Sequence, residues 1–203
     1  QEAKIEAEYR SVAERLSDTR RAAALELGHA VTRAMQELSM TGGSFEIALN
    51  PCEPAAHGLE QVEFLVAGHA GTAPRPLAKV ASGGELARIA LAISVIASSA
   101  TATPTLIFDE VDSGIGGGVA EVVGRLLRRL GQERQVLCVT HLPQVASQAN
   151  QHFEVSKESG DGKTLSRIEV LDAKSRVEEI ARMLGGIEIT ATTRKHAREL
   201  LAL

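Results

Sequence analysis

The sequence predicts an α/β protein in which a long N-terminal helix precedes a lobe built on a parallel sheet. The first 40 residues contain no proline and carry apolar side chains at alternating steps of four and three. Further along, apolar segments at 105–108 and 135–140 flank a helical segment, and strand–helix–strand order at this spacing is typical of a parallel sheet. Hydrophobic residues make up 44% of the 203 residues and charged residues 24%, which indicates a globular chain rather than a disordered one.

Composition and charge exclude several classes of protein. The formal net charge of −4 argues against a uniformly basic nucleic-acid surface. Two cysteines, Cys52 and Cys138, are too few for a disulfide framework and indicate a reducing compartment. The longest apolar run, 89–97, is too short to cross a bilayer, and the first residues form a charged helical pattern rather than a signal peptide. We therefore expect a cytoplasmic protein that does not span a membrane.

The first helix is predicted over residues 1–40, ending at the sequence 41–43, which contains two glycines. Its heptad seam consists of Ile5, Tyr9, Val12, Leu16, Thr19 and Ala23. The pattern loosens after Leu27 and Gly28. A narrow apolar seam needs a covering partner. Either the helix packs on its own lobe, or it is one strand of a coiled coil whose other strand lies outside this chain. We divide the chain into an arm, 1–40, and a lobe, 41–203.

The remaining elements follow from apolar periodicity and turn residues. In chain order, we predict strands at 44–50 and 61–67, a loop at 68–79, a helix at 85–98, a strand at 105–108, a helix at 119–130, a strand at 135–140, a helix at 143–149, and a hairpin of 153–157 and 164–171 around a turn at 159–162. Two helices close the chain. Ser175-x-x-Glu178 is typical of a capping box, Gly185-Gly186 of a helix stop, and Thr190 of an N-cap.

The first candidate site is Ser82-Gly83-Gly84-Glu85, directly before an apolar helix. A serine and two glycines at a helix N-terminus leave several main-chain N–H groups free for an anion, with the serine hydroxyl as a further donor. The alternative is an ordinary helix N-cap after a flexible loop.

The second candidate site is the pair Asp109-Glu110, which ends the strand 105–108. Ligands of open parallel sheets bind at the carboxyl ends of strands. Adjacent acids at such a place are unfavourable without a cation, so one can hold Mg²⁺ while the other deprotonates a water. His141 ends the next strand along the chain, at the same sheet edge, and is suited to a phosphate contact. The other histidines, which lack such placement, are interpreted as surface or packing residues: His29, His57, His69, His152 and His196.

Together these motifs resemble the C-terminal half of an ATP-binding cassette, which is part of a P-loop NTPase head. Residues 82–85 are similar to the signature motif, Asp109-Glu110 to the end of Walker B, and His141 to the switch histidine. Asp112, Ser113 and Gly114 resemble the D-loop. The one departure is Ala81, where transporter cassettes usually carry leucine.

The amino-acid sequence of the motifs is similar to that of the RecN family, which consists of SMC-like ATPases of bacterial DNA repair and recombination. Val80 to Arg88, Phe108 to Gly117, Thr140 to Ala146 and Ala181 to Gly186 carry this resemblance, which covers residues 40–203. It implies a head that uses ATP and Mg²⁺ in double-strand-break repair, is associated with the nucleoid, and contacts DNA through the full-length protein. Residues 1–40 then fit the returning arm of an antiparallel coiled coil.

The resemblance also implies residue roles. Two heads would sandwich ATP, with Ser82, Gly83, Gly84 and Glu85 of one head facing the γ-phosphate held by the other. Asp109 would support Mg²⁺, Glu110 would activate water, and His141 would contact the γ-phosphate. Asp112, with Ser113 and Gly114, would act across the dimer interface.

No Gly-x-x-x-x-Gly-Lys-Ser/Thr motif is present in the sequence. In the RecN family this P-loop lies in the N-terminal head segment, before the coiled coil. We therefore expect that segment as a partner, an incomplete sheet edge where it docks, and no ATP turnover by this chain alone.

Two other readings stay open. One is a degenerate head that only holds a coiled-coil dimer together, although intact Asp109, Glu110 and His141 argue against it. The other is a DNA-binding module that uses the arginines of the helix 119–130 and its C-terminal end, which are Arg125, Arg128, Arg129 and Arg134. These arginines also fit the solvated face of an amphipathic helix.

Overall fold

The computed structural model describes residues 1–80, 82–97, 103–160, 163–185 and 188–202. The chain divides into two compact units, Gln1–Ala100 and Thr101–Leu203. The first unit contains α1 Glu2–Glu37, β1 Ser44–Ala55, β2 Gly58–Ala67, β3 Arg75–Pro76, a 3-10 turn Leu77–Lys79 and α2 Gly83–Ile96. The second contains β4 Thr105–Phe108, α3 Gly117–Leu130, β5 Gln135–Cys138, α4 Pro143–Ala146, β6 Phe153–Gly160, β7 Lys163–Val170, α5 Ala173–Gly185 and α6 Ala191–Leu200. The predicted α/β fold with a long first helix and a parallel strand pair is confirmed.

The C-terminal half of α1 is anchored to β1. A side-chain carbon at Gly28 would lie 3.3 Å from the main-chain oxygen of Phe45, so this glycine lets the helix approach the strand closely. One turn later, the hydroxyl of Thr32 accepts a hydrogen bond from the main-chain nitrogen of Phe45 at 2.9 Å. Val31 and Met35 are fully buried on the same side. The helix therefore packs on its own unit through this stretch, where the heptad pattern loosens.

The N-terminal half of α1 keeps its heptad seam in solvent. Ile5 is 61% exposed, Val12 51% and Leu16 38%. Tyr9 is the half-buried member of the seam, and its hydroxyl bonds to the turn of the β1–β2 hairpin. It accepts from the main-chain nitrogen of Ala55 at 3.0 Å, and the carbonyl oxygens of Ala55 and Gly58 lie 2.9 and 3.1 Å away.

The β1–β2 hairpin extends beyond its predicted strands. Its antiparallel register runs from Ser44 opposite Ala67 to Ala55 opposite Gly58. A register shift between Pro51 and Ala55 accommodates the prolines, which cannot donate to a regular ladder. The predicted loop 68–79 contains the two-residue strand β3, which pairs with β2, and a 3-10 turn. A strand of two residues has no periodicity that a sequence pattern can detect.

Helix α2 starts two residues before its predicted start and contributes Ile89, Leu91 and Ala92 to the core. Its predicted last residue, Ser98, lies outside the described residues, as does Ala81, the departure within the signature motif.

The second unit is built on the parallel pair β4–β5, in register from Thr105 opposite Gln135 to Phe108 opposite Cys138. One face of the pair is apolar and exposed. Ile107 is 71% exposed, Leu137 42% and Val139 62%. The opposite face includes buried Phe108. Helix α3 passes close to the segment around α4, since a side-chain carbon at Gly124 would lie 2.7 Å from Cγ of Gln148.

The β6–β7 hairpin confirms the predicted hairpin, with longer strands. Phe153 lies opposite Val170, and Val155 lies opposite Ile168, so one face carries four apolar side chains. All four are exposed, by 45 to 69%. The middle of the predicted turn, 161–162, lies outside the described residues.

The last two helices pack together through Val177, Ile180, Ala181 and Ala197. Helix α5 ends at Gly185, as predicted, while Gly186 lies outside the described residues. The predicted cap at Thr190 is confirmed, because its hydroxyl accepts from the main-chain nitrogen of Thr193 at 3.1 Å. No helix in the described part of the chain is both long and apolar enough to cross a membrane.

The predicted capping box at Ser175 is wrong. The side chain that caps α5 is Asp172, whose Oδ1 accepts from the main-chain nitrogen of Ser175 at 2.7 Å. This bond holds the pKa of the Asp172 carboxyl below its ordinary value. Ser175 therefore lies within the first turn rather than before it.

Candidate functional site

Residues 82–85 form the N-terminus of α2 in the first unit. Ser82 is the N-cap, with its side-chain oxygen accepting from the main-chain nitrogen of Glu85 at 3.3 Å. An oxygen that accepts this bond still carries its own O–H, which remains available as a donor. Ser82 and Gly83 are exposed, whereas Gly84 is buried. The structure thus contains the helix cap, and the exposed start of the helix keeps the geometry that an anion site requires.

The Glu85 side chain borders a cleft of about 320 Å³ beside this helix start. Its Oε1 lies 3.9 Å from Nε2 of His69. Arg88, one turn further along α2, is 7% exposed, and this burial lowers the pKa of its guanidinium while the Glu85 carboxylate acts in the opposite direction. His69, Thr72 and Arg75 also line the cleft. These three residues lie in the predicted loop, where no motif pointed to them.

Asp109 and Glu110 lie at the carboxyl end of β4, both exposed. Oδ1 of Asp109 accepts from the main-chain nitrogen of Glu110 at 2.9 Å. Glu110 has a φ of +55°, a left-handed conformation that is uncommon outside glycine. The main-chain oxygen of Glu110 accepts from the nitrogen of Ser113 at 3.0 Å, which closes the turn. A constrained turn therefore presents the two carboxylates, as predicted, at the end of the strand.

Asp112, Thr140 and His141 form a hydrogen-bonded cluster at the same sheet edge. Asp112 is 2% exposed. Its Oδ2 accepts from the hydroxyl of Thr140 and from the main-chain nitrogen of His141, the latter at 3.2 Å. Nδ1 of His141 lies 3.4 Å from the same oxygen, although the imidazole is 72% exposed. Sequence reasoning missed Thr140 as a site residue, and its one signal is its place in the polar pair that follows β5.

The inward orientation of Asp112 differs from the expected contact with a second subunit. Its carboxylate is engaged within its own chain, whereas Ser113 and Gly114 are exposed. Of the three residues that resemble the D-loop, Ser113 and Gly114 are therefore the exposed ones.

Cys138, the last residue of β5, also lies close to these acids. Burial raises the pKa of its thiol to about 12, and the charges of Asp112 and Asp109 act in the same direction. The thiol stays protonated at neutral pH and is therefore a poor nucleophile and a poor metal ligand.

The acidic residues suit a cation that takes most of its ligands from elsewhere. No group of three or more histidine, cysteine or acidic residues able to hold a metal occurs within the described ranges. Mg²⁺ usually binds one or two carboxylates together with waters and phosphate oxygens. Asp109 is exposed and fits that donor set, because its Oδ1 accepts from Glu110 and its Oδ2 is a second carboxylate oxygen.

Two of the four arginines on the predicted basic face of α3 and its C-terminal end make contacts within the chain. Arg125 pairs with Glu121 at 2.7 Å. Arg128 and Arg129 occupy the last turn of the helix, where positive charge complements the helix dipole. Arg134 donates to the main-chain oxygen of Thr103 at 3.2 Å. These contacts favour the solvated-face interpretation over a DNA-binding surface.

Comparison with known proteins found relatives over nearly the whole chain. No family model matches. The DNA repair protein RecN of Xylella fastidiosa is 50% identical over 196 residues, which are 95% of this chain and 35% of that protein. RecN of Haemophilus influenzae is 44% identical over 205 residues, covering 100% of this chain and 37% of that protein. The chain thus spans about a third of the length of these relatives.

Solved structures with the same fold are SMC heads. The Smc head domain of Pyrococcus yayanosii, with its coiled coil and joint, aligns with a TM-score of 0.58 at 24% identity, over 88% of this chain and 34% of that chain. A structure from work on ATP-driven dimerization and DNA-stimulated activation of SMC ATPases aligns with a TM-score of 0.52 at 21% identity, over 85% of this chain and 99% of that chain. The fold of this chain is therefore that of SMC head domains.

Proposed function

We propose, from the premise that this chain belongs to the RecN family, that it forms the C-terminal lobe of an ATP-hydrolysing head in a DNA double-strand-break repair protein. The observation that carries the proposal is the edge of the β4–β5 sheet. Asp109 and Glu110 end one parallel strand there, and His141 follows the next strand, where α/β folds bind their ligands. The fold, which is that of SMC head domains, and the name of the relatives support the same conclusion.

The residues of this edge divide the chemistry among them. Mg²⁺, when bound with ATP, supplies charge neutralisation for the phosphates. Asp109 is the carboxylate that holds it. Glu110 is the general base that removes a proton from the attacking water, and its exposed side chain leaves room for that water. His141, with an imidazole that is 72% exposed, donates to the γ-phosphate.

The start of α2 supplies a second contact surface for nucleotide. Ser82, Gly83, Gly84 and Glu85 of one head face the γ-phosphate bound by another head, so that ATP is sandwiched in a homodimer. The exposure of Ser82 and Gly83 and the free hydroxyl hydrogen of Ser82 support this role. The Glu85 side chain borders the cleft that contains His69, and its main-chain nitrogen donates to Ser82, so Glu85 contributes by holding the helix start.

The missing P-loop belongs to an N-terminal head segment of the same protein. The two exposed apolar faces of the second unit, on β4–β5 and on β6–β7, support such a docked partner because soluble proteins rarely leave contiguous apolar surface uncovered. The exposed seam of α1 supports a coiled-coil arm over residues 1–40, followed by the head lobe over 41–203. DNA contact through the full-length protein, and a place in the cytoplasm at the nucleoid, rest on the relatives' name.

Glu110→Gln tests the catalytic assignment in the full-length protein. The substitution keeps shape and hydrogen bonding but removes the proton acceptor, so ATP turnover is expected to fall by roughly 10²–10⁴-fold. Nucleotide binding should survive, and the ATP-bound head dimer should accumulate in analytical ultracentrifugation. Ser82→Arg should abolish turnover with the opposite signature, because a bulky side chain in the anion site prevents dimer formation.

A matched control is Glu121→Gln, which neutralises an exposed carboxylate of the same unit that pairs with Arg125. Its turnover should equal that of the unmutated protein.

The 203-residue chain alone should hydrolyse no ATP. Micromolar Mg-ATP affinity by calorimetry would contradict the proposal that this chain supplies only part of the nucleotide site. Full turnover by Glu110→Gln would contradict the assignment of Glu110 as the general base. A full-length protein without turnover would favour a non-hydrolysing dimerisation head.

A further inference from the structure

One buried carboxylate joins the two loops that carry the candidate catalytic residues. Asp112 lies two residues after Glu110, and its Oδ2 bonds to Thr140 and to the main chain of His141. Thr140 is itself held, because its hydroxyl oxygen accepts from the main-chain nitrogen of Leu142 at 3.1 Å. The loops after β4 and β5 are therefore tied together through a single oxygen atom.

The buried carboxylate of Asp112 has the imidazole of His141 as its basic neighbour. A buried carboxylate is unfavourable unless hydrogen bonds and an opposite charge offset its desolvation. Within the described part of the chain, the basic group at ion-pair distance from Asp112 is the imidazole of His141, at 3.4 Å. Because this imidazole is largely exposed, one side faces the buried anion while the other is accessible to a ligand.

This geometry determines how the imidazole meets a phosphate. Nδ1 lies 3.4 Å from a carboxylate oxygen, which would attract a proton on this nitrogen and repel a lone pair, and so favours the ring with a proton on Nδ1. In a neutral ring with this proton, Nε2 has only a lone pair and accepts hydrogen bonds. Donation from Nε2 to a phosphate oxygen then requires the doubly protonated ring, whose positive charge lies opposite Asp112.

We propose that Asp112 is a positioning residue, which acts within its own subunit by holding the His141 ring with Nε2 directed towards the γ-phosphate. Thr140 assists by fixing the carboxylate. This inference rests on the proposed ATPase function and assigns Asp112 a task different from contact with a second subunit. A carboxylate behind a histidine holds one tautomer and stabilises the charged ring in the same way in other enzymes.

Asp112→Asn in the full-length protein tests the proposal. The substitution keeps the size and an accepting oxygen but removes the charge. Turnover is expected to fall roughly 10–100-fold, by analogy with the partners that orient metal-bound histidines. The melting temperature should stay the same or rise, because a buried charge has been removed.

A double-mutant cycle with His141→Ala separates positioning from other roles. If Asp112 acts through His141, Asp112→Asn lowers turnover no further in the His141→Ala background. An equal loss in both backgrounds would overturn the proposal. Thr140→Val, which leaves the charge in place, provides a second variant should Asp112→Asn fold poorly. It should lower turnover less, and again only when His141 is present; a loss independent of His141 would count against the inference.

Glu179→Gln is the matched control. Glu179 is 9% exposed, pairs with Arg182 at 2.6 Å, and is a buried carboxylate of the same unit outside the sheet edge. Its turnover should be unchanged, and a loss as large as that of Asp112→Asn would overturn the proposal. Glu110→Gln distinguishes a failure of the positioning inference from a failure of the ATPase assignment. If it lowers turnover while His141→Ala and Asp112→Asn do not, the positioning inference fails and the ATPase assignment stands.

Discussion

Glu110 has an acidic side chain on a left-handed backbone, and hydrogen bonds with neighbouring residues hold that backbone conformation. Two hydrogen bonds hold the turn in this conformation. The main-chain nitrogen of Glu110 donates to Asp109, and the main-chain oxygen of Glu110 accepts from Ser113. Such a conformation is unfavourable by roughly 1–2 kcal/mol for an ordinary residue. The surrounding turn stabilises it, and the strain falls on the residue proposed as the catalytic base.

The two cysteines differ in a way that chemical labelling can measure. Because burial and neighbouring acids raise the pKa of Cys138 to about 12, its thiol should resist a disulfide reagent at pH 8 until the protein unfolds. Cys52 lies in the β1–β2 hairpin, with its sulfur 4.0 Å from Nε2 of His57, and should react in the folded state. Mass spectrometry of the labelled peptides distinguishes the two, and equal labelling rates would contradict the placement of Cys138.

The same shift predicts a stability change at alkaline pH. The folded state keeps the Cys138 proton up to about pH 12, whereas an unfolded thiol loses it near its ordinary value of 9.0. Unfolding therefore releases a proton between these values, and stability falls as pH rises through this window. Cys138→Ala should reduce the fall and Cys52→Ala should not.

At the residue scale, sequence reasoning placed Asp109, Glu110 and His141 at one sheet edge because strand ends and polar pairs are visible in the order of residues. The inward turn of Asp112 depends on a contact between segments about 30 residues apart. No local pattern contains that information. Thr140 was overlooked for the same reason, since a threonine after a strand is common and its partner is distant in sequence.

Among the helices, the start of α5 shows how a cap is chosen. Asp172 and Ser175 are both good capping residues, and each is followed three positions later by a polar residue. Local pattern cannot separate them. The structure has Asp172 as the cap of α5, whereas the predicted cap at Thr190 is confirmed.

Asp172→Ala should lower the melting temperature, because the main-chain nitrogen of Ser175 loses its acceptor. Ser175→Ala, the control, should leave that cap intact and the melting temperature nearly unchanged. The folded-state pKa of Asp172 lies below its ordinary value of 3.8, so its contribution is present above about pH 4 and fades as pH falls further. A larger fall in melting temperature from Ser175→Ala than from Asp172→Ala would mean that Ser175 caps the helix after all.

For the molecule as a whole, α1 carries two stripes with different partners. The heptad seam was visible in the sequence because its members are large and apolar. The stripe that faces the first unit includes Ala13, Ser17 and Gly28, small residues that produce little periodic signal. Sequence reasoning therefore left open whether the helix packed on its own lobe, and the structure shows that its C-terminal half does so while the seam remains exposed.

Val12→Glu and Ala13→Glu form a matched pair for these stripes. Val12 is 51% exposed and Ala13 is 3% exposed. Val12→Glu should change the unfolding free energy of the 203-residue chain by less than about 0.5 kcal/mol, whereas Ala13→Glu should cost roughly 1–3 kcal/mol by burying an unpaired polar group. In the full-length protein, Val12→Glu should increase proteolysis of the arm. Equal destabilisation of the short chain by both variants would mean that the seam packs on the lobe.

The hydroxyl of Tyr9 joins the arm helix to the turn of the β1–β2 hairpin. Tyr9 is also the one tyrosine in the sequence, which contains no tryptophan. The near-ultraviolet fluorescence of the chain therefore comes mainly from a single ring at the junction of arm and hairpin. A phenol bonded to main-chain carbonyls differs in emission from one surrounded by water, so the unlabelled protein contains its own optical probe of whether the arm is seated.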